Sequence, residues 1–255
     1  MLLAIDVGNT HTVLGLFAGD TLHADWRVAT RRDMTADELG VLLRALFAGR
    51  NLDPAAVDGM IVSSVVPDLN ESVAATGRSY FSCEPLFVGP GLKTGMPILY
   101  ENPHEVGADR IVNAVAAQAR FGAPVIVLDF GTATTFDVVG KGGEYMGGVI
   151  APGLGASAEA LFQKAARLHR VSICRPQRVI GRHTEQSMQS GLFHGYTALV
   201  EGLVQRIRGE LEADAPVVAT GGLAPVFEPE LDFLTAVDLG LTLEGLRLIW
   251  RKNQP

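Results

Sequence analysis

Two stretches of this chain repeat one another, and the repeat narrows the possible folds more than any bulk property does. LLAIDVGNTHTVLGLF, residues 2–17, and VLDFGTATTFDVV, residues 127–139, each carry an apolar strand into an aspartate and place a glycine two residues later. Each then passes through small or hydroxylated residues and resumes as an apolar strand. Asp6 and Gly8 in the first copy correspond to Asp129 and Gly131 in the second, and the pattern reads Asp129 as a carboxylate buried in an otherwise apolar strand. In both copies a turn glycine stands thirteen positions after the aspartate, Gly19 in AGD and Gly142 in KGG, and a third strand pattern follows, TLHADWRV or EYMGGVI. Strands joined by such short connections form antiparallel hairpins. Further on, GMIVSSVVP (59–67) and PVVATGGLAP (216–225) are again alike, apolar strands running into small residues and then proline. Two tandem halves explain both matches together; unrelated strands sharing turn chemistry would explain either one alone.

Helix patterns lie between these strands. Thr35-x-x-Glu38 is a capping box ahead of ELGVLLRALF, so Asp33-Met34-Thr35 opens a helix. GADRIVNAVAAQARFG (107–122) carries Asp109 in its first turn and stops at Gly122, before Pro124. Helices are also expected over 154–170, over 184–213, where Gly191 and Gly195 offer a close-approach face, and over 242–252, an amphipathic segment that docks back onto the body. Alternating strands and helices give an α/β protein, and the hairpins make its sheets mixed. The expected organisation is two domains, 1–118 and 119–255, each a mixed sheet flanked by helices, with the active-site cleft between them.

A formal net charge of -7 argues against nucleic acid or an anionic membrane as the main partner, since either favours a basic surface. Arg167, Arg170, Arg175, Arg178 and Arg182 read as a solvated face. Cys83 and Cys174 have no CxxC spacing, and the histidines have no paired ligand spacing, so neither a disulfide scaffold nor a zinc centre is supported. No apolar run is long enough to cross a membrane, no leader pattern precedes Asp6, and a cytoplasmic location is expected.

The repeated D-x-G motif has a chemical reading. A glycine lets backbone amides approach an anion, hydroxyls add donors, and a carboxylate at the strand end can hold a hydrated cation beside the phosphate oxygens. A single copy could equally be an Asx turn entering a hairpin; two equivalent copies favour nucleotide phosphate plus metal. GKGG at 140–143 lacks the spacing of a P-loop and reads as a hairpin turn. Asp109 could serve as a base or merely as a first-turn acid on the helix dipole, and Arg110 could bind a carboxylate or form an ion pair.

The paired loops resemble those of the actin-like ATPase superfamily, with its duplicated ribonuclease H-like fold, and TGGLA at 220–224 resembles that superfamily's adenosine motif. Five further motifs occur in the order expected of type III pantothenate kinases: Tyr100-x-Asn102-Pro103, Gly107-Ala-Asp109-Arg110, Asp129-x-Gly131-Thr132, Gly147-Gly148 through Pro152-Gly153, and Thr184-x-Gln186-Ser187-x-Gln189-Ser190-Gly191. The resemblance implies ATP-dependent phosphorylation of pantothenate to 4'-phosphopantothenate, a homodimer, magnesium with ATP, and a monovalent cation, K+ or NH4+. By motif position it makes Asp109 the general base and Asp129 the monovalent-cation ligand. It gives ATP contacts to Asp6, Val7, Gly8, Asn9, Thr10, His11, Thr12, Val13, Thr132, Gly221 and Gly222, with Asp6 also reaching hydrated Mg2+. It gives pantothenate contacts to Tyr100, Gly107, Ala108, Asp109, Arg110 and Thr184, the last supplied across the dimer interface. A kinase for another small molecule, or a nonenzymatic regulator on the same fold, are the competing readings.

Overall fold

A computed structural model describes residues 1–164 and 170–254. In chain order its principal elements are β1 (Leu2–Val7), β2 (His11–Ala18), β3 (Thr21–Ala29), α1 (Ala36–Ala48), β4 (Gly59–Ser64), α2 (Asn70–Phe81), β5 (Leu86–Phe87) and α3 (Ala108–Phe121). There follow β6 (Val125–Phe130), β7 (Ala133–Val139), β8 (Tyr145–Pro152), α4 (Leu154–Lys164), α5 (Thr184–Leu211), β9 (Val217–Thr220), α6 (Ala224–Phe227), β10 (Leu234–Val237) and α7 (Leu241–Lys252). The helix expected over 154–170 is seen to Lys164; its continuation over 165–169, with Arg167, lies outside the described residues. Arg170 and Arg175 are paired, with Glu159 and Glu230, and both cysteines are free thiols.

The chain forms two compact units whose division falls inside α3, after Ala116. The first unit holds a five-stranded sheet in the order β3-β2-β1-β4-β5, the second one in the order β10-β9-β6-β7-β8. In each, the first three strands form an antiparallel meander, the fourth pairs in parallel with its first strand and the fifth in parallel with the fourth. The duplication therefore holds at the level of register: Asp6 lies opposite Ser63 of the parallel neighbour, and Asp129 lies opposite Thr220. The equal thirteen-residue spacing, in contrast, is not an equivalence of positions. Asp6 pairs with Val13, seven residues on, and Asp129 with Thr135, six residues on, so the first loop is one residue longer. The second copy makes up the difference in its next turn, where Gly140 N–H donates to Glu144 O at 2.8 Å across GKGG.

Burial explains how each sheet is covered. In the first unit Leu3, Ile5, Val7, Met60 and Val62 point to one face and pack with Leu39, Leu43 and Phe47 of α1 and Val73 and Phe81 of α2. Thr35 caps α1 by the expected box, exchanging bonds with Glu38. The opposite face, with Leu2, Ala4 and Ile61, also has to be dry, and α7 covers it. Leu241, Leu243, Leu246 and Ile249 are buried, Leu243 lies against Gly15 and Trp250 against Gly59. The segment from Gly240 on thus belongs to the first unit, not to the 119–255 half assigned from sequence; the exposed apolar face of β1 and β4 needs its apolar stripe. In the second unit Phe130 stacks on Phe227 and Phe227 on Phe193, both at 5.2 Å between ring centroids, bracing β6 against α6 and α5.

Helix α7 also touches α3 inside the first unit. Thr242 Oγ1 donates to the buried Asn113 Oδ1 at 2.7 Å, and Gly245 lies so close to Val112 that a Cβ there would overlap the Val112 carbonyl. Gly245→Ala is therefore expected to destabilise the protein by roughly 1–3 kcal/mol through overpacking, although alanine favours a helix by about 1 kcal/mol over glycine. Urea denaturation reads the balance; an unchanged or raised midpoint would mean that the two helices part without cost.

Candidate active site

In the first unit the functional candidates gather at the carboxyl ends of β1 and β4. Asp6 is the penultimate residue of β1 and half-buried; beyond Val7, the loop Gly8–Thr10 leads into β2 with Asn9, Thr10 and His11 exposed and Thr12 buried. Gly8 N–H donates to His11 O at 3.1 Å, closing the loop, and a Cβ on Gly8 would stand 2.9 Å from that oxygen. The chain just past β4 is held to the same edge by Val65 N–H donating to Val7 O at 3.0 Å. Val65 in turn lies against Gly107, which sits one residue ahead of α3. The end of β1, where the β1 loop starts, is thus linked through Val65 to the amino end of α3. There Asp109, half-buried, accepts from the Arg110 N–H at 2.8 Å, and its Oδ1 occupies the space a side chain on Gly107 would fill. Arg110 is buried, Ala108 opens the helix, and Tyr100 is half-buried ahead of the turn that Asn102 caps.

The second unit builds the equivalent edge from β6 and β9. Asp129 is half-buried, not buried, and its neighbour Phe130 anchors the strand end in the aromatic stack. The carboxylate fully buried in this stretch is Asp137, which accepts from Tyr145 Oη at 2.8 Å and from Thr135 Oγ1 at 3.0 Å. An aspartate at a strand end can keep one side in solvent, whereas mid-strand Asp137 needs hydroxyl donors to be tolerated in the core. Gly131 N–H closes the second loop onto Ala133 O at 3.1 Å, with Thr132 exposed. Gly221 follows β9 with φ +89°, a conformation suited to glycine, and a Cβ there would lie 2.5 Å from Asp129 Oδ1. Gly222 is exposed in the same turn. Tyr196 of α5 meets this edge by hydrogen bonds to Thr134 and to the Pro152 carbonyl. Burial pushes its phenol up, an effect that the bond to Thr134 partly offsets, so the group stays neutral near pH 7.

The structure thus brings together Asp6, the β1 loop and Asp109 in one unit, and Asp129, Thr132 and Gly221 in the other. Thr184 is not at the second loop: it is the exposed first residue of α5, twelve residues before Tyr196 and so roughly 18 Å from it along the helix axis. The donors suit hard cations. Asp6 shares its register position with Ser63, whose Oγ is buried without a hydrogen-bond partner among the described residues, and Asp129 shares its position with the hydroxyl of Thr220. Oxygen donors of this kind fit magnesium or an alkali cation and not a thiophilic metal. Ser63 and Thr220 went unnoticed in the sequence because only strand register sets them beside the aspartates.

Residues 2–206 match a family model described as type III pantothenate kinase. A type III pantothenate kinase of Myxococcus xanthus is 55% identical over 253 residues, 99% of each chain. Among solved structures, a candidate Baf family transcriptional activator from Campylobacter jejuni superposes with a TM-score of 0.63 at 18% identity, over 98% of each chain. A candidate 2-dehydro-3-deoxygalactonokinase from Sinorhizobium meliloti also gives 0.63, at 13% identity over 100% of this chain and 97% of the other. At those identities the two structures speak for the fold alone.

Gly221→Ala should shift the Asp129 carboxylate and strain the turn, costing roughly 1–3 kcal/mol. A thermal melt and the carboxyl-carbon NMR resonance of Asp129 check both effects; a variant with neither change would mean that the turn after β9 does not hold that carboxylate in place.

Proposed function

The chain belongs to the type III pantothenate kinase family, and on that premise we propose that it transfers the γ-phosphoryl group of ATP to the primary hydroxyl of pantothenate. The products are 4'-phosphopantothenate and ADP, and the reaction is the first step of coenzyme A biosynthesis. The observation that supports the residue assignment is the link from Asp109 through Gly107 and Val65 to the end of β1.

In this reading the pantothenate hydroxyl gives its proton to Asp109 as its oxygen bonds to the γ-phosphorus and the bond to the β,γ-bridging oxygen breaks. Phosphoryl transfer needs little covalent help from a protein, so positioning and charge neutralisation do most of the work. The segment Asp6–Val13 and Thr132 orient the phosphates through amides and hydroxyls, Gly221 and Gly222 leave room for the nucleoside, and Asp6 reaches a hydrated magnesium ion. Asp129 is the ligand of the monovalent cation, K+ or NH4+. Bound magnesium and the monovalent cation supply positive charge to the phosphates. Tyr100, Gly107, Ala108 and Arg110 contact pantothenate, Arg110 offering charge-assisted bonds to its carboxylate.

We also propose a homodimer. Its support is the distance of Thr184 from the second loop along α5, the open space at Gly191 and Gly195, and the exposed Val179 and Ile180. Thr184 then serves the partner's pantothenate site. Among the described residues no helix is long and apolar enough to cross a membrane; the need for ATP supports a cytoplasmic location, and the acidic charge speaks against nucleic acid as a partner.

Purified protein with ATP, magnesium and potassium should release ADP only when pantothenate is added; turnover that is indifferent to pantothenate would sink the reading. Asp109→Asn should lower kcat by about 10²-fold or more while nucleotide binding by calorimetry persists. A variant with normal kcat removes Asp109 from the role of base. Asp129→Asn should flatten the dependence of rate on potassium concentration, and an activation curve identical to that of the unaltered protein would refute the cation assignment.

A further inference from the structure

The β1 loop is tied down by the segment that follows β3. Thr30 Oγ1 donates to Gly8 O at 2.7 Å and Thr30 N–H donates to Thr10 O at 3.0 Å. Thr12 Oγ1 lies 2.9 Å from Thr30 Oγ1. A hydroxyl has one proton, and that of Thr30 is committed to Gly8, so Thr12 is the donor between the two. Two residues on, Arg32 Nη2 donates to Asn9 Oδ1 at 2.9 Å. Thr30 therefore holds two carbonyls of the loop at once.

That hold has a consequence for the amides. A trans peptide carries its C=O and N–H on opposite sides. With the Gly8 and Thr10 carbonyls turned onto Thr30, the N–H groups of Asn9 and His11 are turned away from it, to the side from which an anion can be bound by backbone amides. Without the Thr30 hydroxyl the Gly8 carbonyl loses its partner, and the Gly8–Asn9 peptide is free to rotate that oxygen toward the phosphates.

The second unit shows why a side chain is needed here. Ala29 lies opposite His11 at the start of β2, and Pro152 lies opposite Ala133 at the start of β7. Thr30 and Gly153 are thus the next residue in each copy. In the shorter second loop Gly153 packs directly on the carbonyls, and a Cβ there would overlap Thr132 O and stand 2.7 Å from Gly131 O. In the longer first loop the threonine side chain fills that gap and bonds to the carbonyl instead.

We propose that Thr30 is a positioning residue for ATP, fixing the peptide planes of the β1 loop through its hydroxyl. This rests on the reading of that loop as the phosphate site. Thr30→Val keeps the branched shape and removes the hydroxyl; it should raise the KM for ATP about tenfold, with kcat and the KM for pantothenate changed by less than about twofold. Thr30→Ser restores the hydroxyl and should return the KM for ATP to within about twofold of the unaltered protein. If the valine variant does not fold, as judged by circular dichroism, the smaller Thr30→Ala is compared with serine in its place. An unchanged KM for ATP, equal values for the valine and serine variants, or a parallel loss of kcat and both KM values would overturn the proposal. Gly8→Ala, which presses directly on the His11 carbonyl, separates the two readings. If it leaves the KM for ATP untouched, the phosphate-loop reading falls and this proposal with it; if it raises that KM while Thr30→Val does not, the role of Thr30 alone falls.

Discussion

Asp6 and Asp129 can serve as fixed points because each stands on the central strand of its sheet. The backbone of β1 is laddered to β2 on one side and to β4 on the other, and β6 is held in the same way between β7 and β9. A strand bonded on both edges has almost no freedom to rotate, so the carboxylate at its end is aimed by the sheet and not by the loop that follows it. Preorganisation of this kind is what phosphoryl transfer asks of a protein. The rest of each unit keeps that strand dry: α1, α2 and α7 around β1, and the Phe130, Phe193 and Phe227 stack beside β6.

Much of this was legible in the sequence because it depends on local pattern. The paired D-x-G loops, the capping box at Thr35 and the stop at Gly122 are written in residues that lie close together in the chain. What escaped depends on partners far apart. Helix α2 buries Thr76 and Gly77 together with Val73 and Phe81, so its inner face does not read as an apolar stripe. The two-residue strand β5 is too short to show a period. Asp137 is stabilised by hydroxyls on β7 and β8, and nothing in VLDFGTATTFDVV says which of its two aspartates the core will accept. Thr30 and Ser63 become part of the site only once strand register is known. Gly245 and Gly59 look like blemishes in helix and strand until their neighbours, Val112 and Trp250, are seen.

The duplicated halves keep topology and register and diverge in how each loop is closed. The first copy has the longer loop and holds it with side chains, Thr30, Thr12 and Arg32; the second has the shorter loop and holds it by bare backbone contact at Gly153. The two loops accordingly tolerate different changes. Side-chain anchorage can be tuned by single substitutions, whereas a glycine wedged against carbonyl oxygens admits almost none.

Helix α7 gives the chain an unusual order of completion. The sheet of the first unit leaves the ribosome before the second unit, yet one of its faces is covered by α7, which follows that whole unit in the chain. Domains generally fold as they emerge, the amino-terminal one first. Here the strands Leu2–Val7 and Gly59–Ser64 must wait, with Leu2, Ala4 and Ile61 uncovered, while the whole second unit is made. In terms of synthesis the second unit is an insertion within the first. A nascent chain of this protein therefore carries an exposed apolar sheet face while the second unit is made, and a chaperone or rapid elongation has the most to protect during that interval.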